Sequence, residues 1–329
     1  MSKLVRSKLI GFVTALVFLA VFLLFPWFAN NYLLRLGTTM LMYSALALSW
    51  NFIGGFAGYP SFATAAFFGL GAYAGGILQN KGIPAPLAWL SAGLLVLIFA
   101  VVVGRMILHL KGHYFAIASL VIADVLREVI NGMTDLTGGG MGLNLAALKM
   151  GVTQQAQFFY FSMLTVAGFA LITTLLLDRS RLGFGLRCIE QNEDAAVRIG
   201  INTAHFKTAA FVLSSTFVGM AGAVYASWTG YIDPGEAFEV LISVKPIVMT
   251  LLGGAGTALG PVYGAFLFLV LEETVWRNFL NIHSGVLGLL VVLLILFLPR
   301  GILQASLWSA LGRLGLRMIE VIRRQRPQS

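Results

Sequence analysis

Residues 178–207 read DRSRLGFGLRCIEQNEDAAVRIGINTAHFK, and they lie between two long apolar runs at 158–177 and 206–228. Nine charged residues fall in this stretch, although the whole chain is 58% hydrophobic and only 11% charged. A helix needs about 20 apolar residues to cross the hydrocarbon core of a bilayer. The stretch therefore predicts a polar loop outside the lipid, and the runs beside it predict transmembrane helices.

The composition of the whole chain indicates a membrane protein. Its mean hydropathy is +0.88, which a water-soluble fold with an ordinary polar surface does not reach. We predict one all-α, polytopic integral membrane domain over residues 1–329, with about ten transmembrane or half-spanning helices. The predicted spans are 9–28, 32–53, 61–79, 86–108, 114–131, 158–177, 206–228 and 284–299, with two short segments in 240–273 on either side of GGAGTALGP at Gly253–Pro261.

The first apolar run, 9–28, follows three basic residues, as the core of a secretory signal would. The run is too long for such a core and has no clear small-residue cleavage site, so we assign it to the first helix.

The basic residues predict the orientation of the helices. The net charge is +9, and with the N-terminus in the cytoplasm 16 of the 22 Lys and Arg residues fall on the cytoplasmic side. This bias is the positive-inside rule of membrane proteins. It places the loop 178–207 and a basic C-terminal tail, 304–329, in the cytoplasm. The positive charge is thereby explained by orientation and anionic lipid, so we predict no nucleic-acid partner.

Catalytic and metal-binding motifs are not recognisable in the sequence. No Gly-Lys dipeptide occurs, so the phosphate-binding loop of ATPases is missing and any nucleotide hydrolysis requires another subunit. The four histidines lack metal-binding spacing, and the single Cys188 excludes an intramolecular disulfide. We predict no enzymatic activity, no bound cofactor and no metal. An intramembrane lipid-modifying enzyme stays a less favoured alternative, because it would need paired acidic or metal-binding motifs.

Two glycine clusters predict broken or closely packed helices. One runs from Gly54 to Gly76 and the other from Gly253 to Pro261, and their similarity indicates an internal repeat. Transporters place broken helices beside the substrate path, although tight packing explains any single glycine equally well. The residues predicted to line a path are Ser61, Thr64, Gly69, Gly71, Asp124, Lys245, Gly253, Gly254 and Gly256.

Ionisable residues at membrane depth are a second guide to a path. Asp124, Arg127 and Glu128 are spaced to share one helical face. A charge near the bilayer centre costs roughly 3 kcal/mol on insertion scales, so such residues face a cavity or a partner. Asp124 either forms a neutralising pair with Arg127 or lines the path. Lys245, which precedes Pro246, is a candidate at the outer entrance of the broken segment.

Seven blocks of sequence carry a family resemblance. They are SFATAAFFGLGAYAGGIL at Ser61–Leu78, GHYFAIASL at Gly112–Leu120, TGGGMGL at Thr137–Leu143, FKTAAFVLSSTFVGMAGAVYA at Phe206–Ala226, GYIDPGEAF at Gly230–Phe238, LLGGAGTALGPVYGA at Leu251–Ala265 and LFLPRGIL at Leu296–Leu303. In this order, and with the charged stretch 178–207 before the fourth block, they resemble the permease subunits of ATP-binding-cassette (ABC) importers for branched-chain amino acids, of the larger of the two permease types. The chain departs from that pattern at Ala63-Thr64, where many members have Gly-His, and at Met141 and the following NLAALKMG.

The resemblance implies an ABC importer permease in the bacterial inner (plasma) membrane. It implies a heterodimer with a second, related permease, two cytoplasmic ATP-binding subunits that carry ATP and Mg, and an extracytoplasmic substrate-binding protein. Branched-chain or other hydrophobic amino acids are the implied solutes, with urea or short-chain amides as the alternative. Contact with the binding protein is expected at Thr137, Gly138, Gly139, Gly142, Asp233 and Pro234.

The resemblance also implies that Arg187–Gly200 contains a coupling helix that docks on an ATPase. The residue pattern agrees, since Leu186, Ile189, Val197 and Ile199 would supply apolar contacts within a charged rim. A solvated surface loop is the alternative. The predicted coupling residues are Arg187, Glu190, Glu193, Asp194, Ala195, Ala196, Arg198 and Gly200.

Overall fold

The structure is a computed structural model, and it describes residues 22–278 except 147 and 149, together with Gly288. Most of the predicted first span, 9–28, therefore lies outside the described residues. The span 284–299, the block Leu296–Leu303 and the tail 304–329 lie outside them as well.

The described chain is almost entirely helical, which confirms the all-α polytopic prediction. The elements are α1 (described over 22–28), α2 (Asn31–Ala57), α3 (Thr64–Asn80), α4 (Ala85–Ile107), α5 (His113–Gly132), α6 (Thr134–Thr137), a 3₁₀ turn (Gly139–Met141), β1 (Leu143–Asn144), α7 (Val152–Asp178), α8 (Arg181–Gln191), α9 (Glu193–Arg198), α10 (Thr203–Thr229), β2 (Tyr231–Ile232), α11 (Pro234–Ala237), α12 (Val240–Gly253) and α13 (Gly260–Asn278). In the described part, α2, α4, α7 and α10 are long and apolar enough to cross a membrane.

The centre of the bundle is α10, which packs against α2, α3, α4 and α7. Small residues let these helices approach closely, as is common in membrane bundles. A side chain on Gly71 of α3 would overlap the backbone carbonyl of Gly219 of α10, and one on Gly222 would overlap that of Phe68. The contact between α3 and α10 is therefore backbone against backbone.

The bundle has two distinct ends. At the first, the loop after α2, the end of α4 and the start of α10 meet α8 and α9; we call this the α9 end. At the opposite end, β1 pairs with β2 in antiparallel register, Leu143 opposite Ile232 and Asn144 opposite Tyr231; we call this the strand end. The β1–β2 pair joins two segments that are distant in sequence.

The predicted coupling helix is divided into two helices. α8 ends at Gln191, and Asn192 has extended backbone angles with φ −163° and ψ 108°. Its side-chain oxygen accepts a hydrogen bond from Ala195 N at 3.0 Å, which caps the start of α9. Arg187–Gly200 is therefore a helix, a capped break and a second, shorter helix.

The predicted break in 240–273 is present between α12 and α13. α12 has 14 residues and ends at Gly253, so it is about 21 Å long and too short to cross a bilayer unaided. The loop that follows is held by the fully buried Asn51 of α2, whose side chain donates to Thr257 O at 2.9 Å and accepts from Gly256 N at 2.8 Å. Because Asn51 precedes the end of α2 by two turns, this loop lies toward the α9 end.

Candidate functional site

A buried ion pair attaches α9 to the bundle. Lys207, at the start of α10, donates hydrogen bonds to Glu193 Oε1 at 2.7 Å, to Leu108 O at 2.9 Å and to Tyr59 Oη at 3.0 Å. The Tyr59 hydroxyl in turn donates to the other carboxylate oxygen of Glu193. We call Tyr59, Glu193 and Lys207 the clamp. Its contacts join α9 to α10 and to the ends of α2 and α4.

The clamp keeps Glu193 ionised. Burial alone would raise the pKa of this carboxyl group, but the hydrogen bonds from Lys207 and Tyr59 outweigh that effect, and the pKa lies below its ordinary value. Burial and the hydrogen bond to Glu193 raise the pKa of the Tyr59 hydroxyl, so it stays protonated as the donor. The Lys207 ammonium also lies 4.5 Å from the centre of the Tyr59 ring, a cation–π contact.

The clamp corrects the prediction that Glu193 belongs to an exposed charged rim. Its side chain is only 15% exposed and that of Lys207 only 5%. Leu186 and Ile189 are also buried, because α8 turns this face toward the bundle, and Ala196 is buried on α9. Leu186, Ile189, Glu193 and Ala196 therefore attach the segment to its own chain.

The opposite face of α8 and α9 is exposed and mixes apolar with charged residues. Phe184, Val197 and Ile199 are exposed apolar side chains. Asp194 is exposed and pairs with Lys111 at 3.1 Å. The other predicted coupling residues, Arg187, Glu190, Ala195, Arg198 and Gly200, are also exposed, but Arg187 pairs with Asp178 and lies 5.4 Å from the centre of the Phe56 ring of α2. Phe184 was not among the sequence-predicted coupling residues.

A cavity of about 850 Å³ extends from the strand end toward the middle of the bundle. It lies between α2, α10, α12 and α13. Aromatic side chains and charges of both signs line it, including Lys245, whose ammonium is 2.8 Å from Glu272 Oε1 and 5.5 Å from the centre of the Tyr43 ring. The described lining is Tyr32, Arg35, Leu36, Thr39, Met42, Tyr43, Leu46, Phe68, Tyr225, Trp228, Thr229, Glu236, Glu239, Ile242, Lys245, Leu269, Glu272 and Glu273.

Lys245 is the one predicted path residue in this described lining. Ser61 and Thr64 are buried, and the Ser61 carbonyl accepts a hydrogen bond from Trp50 Nε1 at 2.8 Å. Gly69 packs against the ring of Phe238. The prediction that these residues line a path does not hold for the cavity, because their surfaces are occupied by neighbouring helices.

The remaining predicted path residues also lie away from the cavity. Gly71 packs on α10, Gly253 packs on Gly260, and Gly254 and Gly256 belong to the loop held by Asn51. Asp124 lies on the flank of α5, half-exposed and 3.8 Å from Arg127, so the structure favours the neutralising pair.

The predicted binding-protein contacts meet at the strand end. Thr137 is buried and donates to Ile130 O at 2.7 Å, and Pro234 is buried as the first residue of α11, whose N-cap Asp233 accepts from Glu236 N. Gly138, Gly139 and Gly142 have positive φ and form the tight turn before β1. Thr137, Gly139 and Pro234 are thus buried, whereas Gly138, Gly142 and Asp233 are partly exposed.

The exposed groups at the strand end are different ones. Met141 is largely exposed, and Tyr231 donates from its hydroxyl to Met141 O at 3.0 Å. Met141 was visible in the sequence as a departure from the family pattern. Tyr231 lies in the block Gly230–Phe238, where the sequence gives it no distinguishing signal.

The comparison with known proteins decides the family. The family model described as "Branched-chain amino acid transport system / permease component" matches residues 32–298, which is most of the chain. The chain belongs to this family. It is therefore a transport permease and has no catalytic role of its own, as the sequence predicted.

Individual relatives agree with this assignment. The permease is similar to the high-affinity branched-chain amino acid transport system permease protein LivM of Escherichia coli K12, with 26% identity across 92% of this chain and 76% of the relative. It is similar to a probable LivM of Methanocaldococcus jannaschii, with 21% identity across 80% and 90%. It also resembles the autoinducer 2 import system permease protein LsrC of Salmonella typhimurium, with 25% identity across 66% and 65%. No solved structure matches the permease significantly.

Two residues of the clamp were not predicted from the sequence. Tyr59 and Lys207 carry no motif, and only the fold shows that they meet Glu193. The cavity residues Arg35 and Glu272 had a usable signal, since both are ionisable residues inside apolar segments.

Proposed function

We propose that this permease, together with a second, related permease, forms the ATP-driven import path for branched-chain or other hydrophobic amino acids. Two cytoplasmic ATP-binding subunits, which carry ATP and Mg, supply the energy. A substrate-binding protein outside delivers the solute. The assembly lies in a bacterial inner membrane, with the N- and C-termini of this chain in the cytoplasm.

The observation that carries the proposal is the two-sided character of α8 and α9. One side exposes Phe184, Val197 and Ile199 among charged groups, a composition suited to a protein partner. The other side is tied by the clamp to α2, α4 and α10. A movement imposed on the exposed side by an ATPase would therefore reach α10 and the end of α2 through Glu193, and the end of α4 through Lys207.

The charge distribution supports a cytoplasmic α9 end. Arg105, Lys111, Arg187 and Arg198 all lie at that end, in the last turn of α4 or in the segments beyond it. At the strand end, the described basic side chain beyond a helix is Lys81. By the positive-inside rule, the strand end faces outward and presents Met141 and Tyr231 to the binding protein.

The flank of α5 supports a second permease. Asp124, Arg127 and Glu128 lie on α5, within the span 114–131 predicted from the sequence, and their side chains are between 40% and 67% exposed. Lipid tails do not solvate such groups, whereas the polar surface of another chain does. We assign this flank to the contact between the two permeases.

Uptake into membrane vesicles tests the proposal. Vesicles that carry this permease and its partner subunits are supplied with ATP and with labelled leucine or labelled urea. We expect leucine to accumulate and urea not to. Accumulation of urea alone would favour the amide-importing alternative. Because one relative is named as an autoinducer 2 import permease, a polar, uncharged compound is tested as a third labelled solute.

A further inference from the structure

The cavity at the strand end has the chemistry of a solute site and no role yet. Its volume is about 850 Å³, which accommodates an amino acid together with several water molecules. Aromatic rings of α2, α3 and α10 form one part of the wall. Charged groups of α2, α11, α12 and α13 and the loop between α11 and α12 form the rest. This combination suits a ligand that has an apolar side and charges of both signs.

The two cations of the described lining differ in their environment. Lys245 is already neutralised by Glu272 and lies near the Tyr43 ring. Arg35 is exposed, and none of the ion pairs among the described residues includes it. Its planar guanidinium can bind both oxygens of a carboxylate at once. Arg35 is therefore the better site for an incoming anion.

The acidic residues of the lining outnumber the basic ones. Glu236 and Glu239 are exposed, and they share the lining with Tyr225 and Trp228. Carboxylates and aromatic faces both stabilise an ammonium group. An anion without an amine would be repelled by this part of the cavity. Urea has no charge for it to recognise.

We propose that this cavity binds the imported solute as a zwitterionic α-amino acid, with its carboxylate on Arg35, its ammonium on Glu236 and Glu239, and its apolar side chain against Tyr43, Phe68, Tyr225 and Trp228. The proposal rests on the function proposed above. The external binding protein selects the solute first, and the cavity is a second binding site for it within the permease.

Uptake by the complete assembly in liposomes tests the site. The variants are Arg35→Gln and Glu239→Gln, and the matched control is Lys81→Gln, an exposed cation at the same end that does not line the cavity. Losing a hydrogen bond to a charged group weakens binding of the solute. We therefore expect uptake of labelled leucine to fall about tenfold or more. ATP hydrolysis stimulated by the binding protein, measured in parallel, should continue in both variants. The control should transport at the wild-type rate.

The two possible failures are distinguishable. If the wild-type assembly does not import leucine, the proposed function itself is wrong, and the site proposal fails with it. If the wild type imports leucine and both variants import it equally fast, only the cavity proposal is overturned.

A second measurement does not depend on the activity of the charge variants. Cys188 is replaced by Ala, and Thr39 in the cavity wall is replaced by Cys. We expect leucine to slow modification of Cys at 39 by a thiol reagent. Leucinamide, which lacks the carboxylate, and 4-methylpentanoate, which lacks the amine, should give little protection. Equal protection by all three compounds, or none by leucine, would overturn the proposal.

Discussion

Glu193→Gln should loosen the α9 end. The variant preserves the shape of the side chain but removes the charge opposite Lys207, whose side chain is only 5% exposed. Breaking one partner of a buried ion pair costs about 3–5 kcal/mol. Lys207 keeps two neutral acceptors, Leu108 O at 2.9 Å and Tyr59 Oη at 3.0 Å, so part of its stabilisation survives. We therefore expect a loss of about 2–3 kcal/mol.

The next residue in the chain supplies a matched control. Asp194→Asn makes the same chemical change in the same helix, but it breaks the pair with Lys111, where the side chains are 61% and 79% exposed. Exposed pairs contribute about 0–1 kcal/mol, because water and salt screen them. The variants differ mainly in whether the lost charge was buried.

Two measurements on the purified permease in detergent compare the variants. One is thermal unfolding, and the other is protease cleavage of the α8–α9 segment. We expect Glu193→Gln to lower the apparent melting temperature clearly and to expose α9 to cleavage, and Asp194→Asn to do neither. Equal behaviour of the two variants would show that the clamp does not hold α9 in place.

Three further predictions concern the clamp, the contact between α3 and α10, and the exposed side of α9. Because the folded pKa of Glu193 is lowered, its stabilisation is complete above the ordinary value of 4.5 and is lost as the pH falls through the lower folded value; melting curves between pH 7 and pH 3 should show this loss, and Glu193→Gln should reduce it. Gly71→Ala would push a methyl group into the backbone of α10 and should destabilise the bundle by about 2–3 kcal/mol, whereas Gly132→Ala, with open space around it, should not; unfolding by denaturant compares them. Val197→Asp places a charge on the exposed side of α9 without touching the clamp; it should weaken co-purification of the ATP-binding subunits while membrane insertion is unchanged, and normal co-purification would contradict the docking surface.

The helices were predictable because their signal is local. A run of apolar residues with the length of a bilayer identifies a span whatever its neighbours are, so the predicted 86–108 became α4 at Ala85–Ile107. The break in 240–273 was predictable for a similar reason, since glycines and a proline interrupt an apolar run. The internal repeat stays a prediction.

The roles of single residues were much less predictable. Glu193 and Asp194 are adjacent acids in the sequence, yet one is buried against Lys207 and the other is exposed. Their difference arises from the direction in which α9 packs, which local sequence does not encode. Likewise, glycines that pack helices together and glycines that border a path look alike in sequence. Only their neighbours in the fold distinguish them.

The docking face and the clamp have different roles in this account, since one binds the ATPases and the other transmits their movement. Measuring leucine import and ATP hydrolysis together, in liposomes that contain the whole assembly, tests this difference. For the wild type we expect leucine accumulation that requires ATP and every partner subunit. For Val197→Asp we expect both activities to fall together, because the ATPases dock poorly. For Glu193→Gln we expect ATP hydrolysis to persist while less leucine enters for each ATP consumed, because α9 is detached from the bundle. An unchanged ratio of leucine to ATP in Glu193→Gln would contradict the role of the clamp in transmission, and leucine import without ATP would contradict the proposed function.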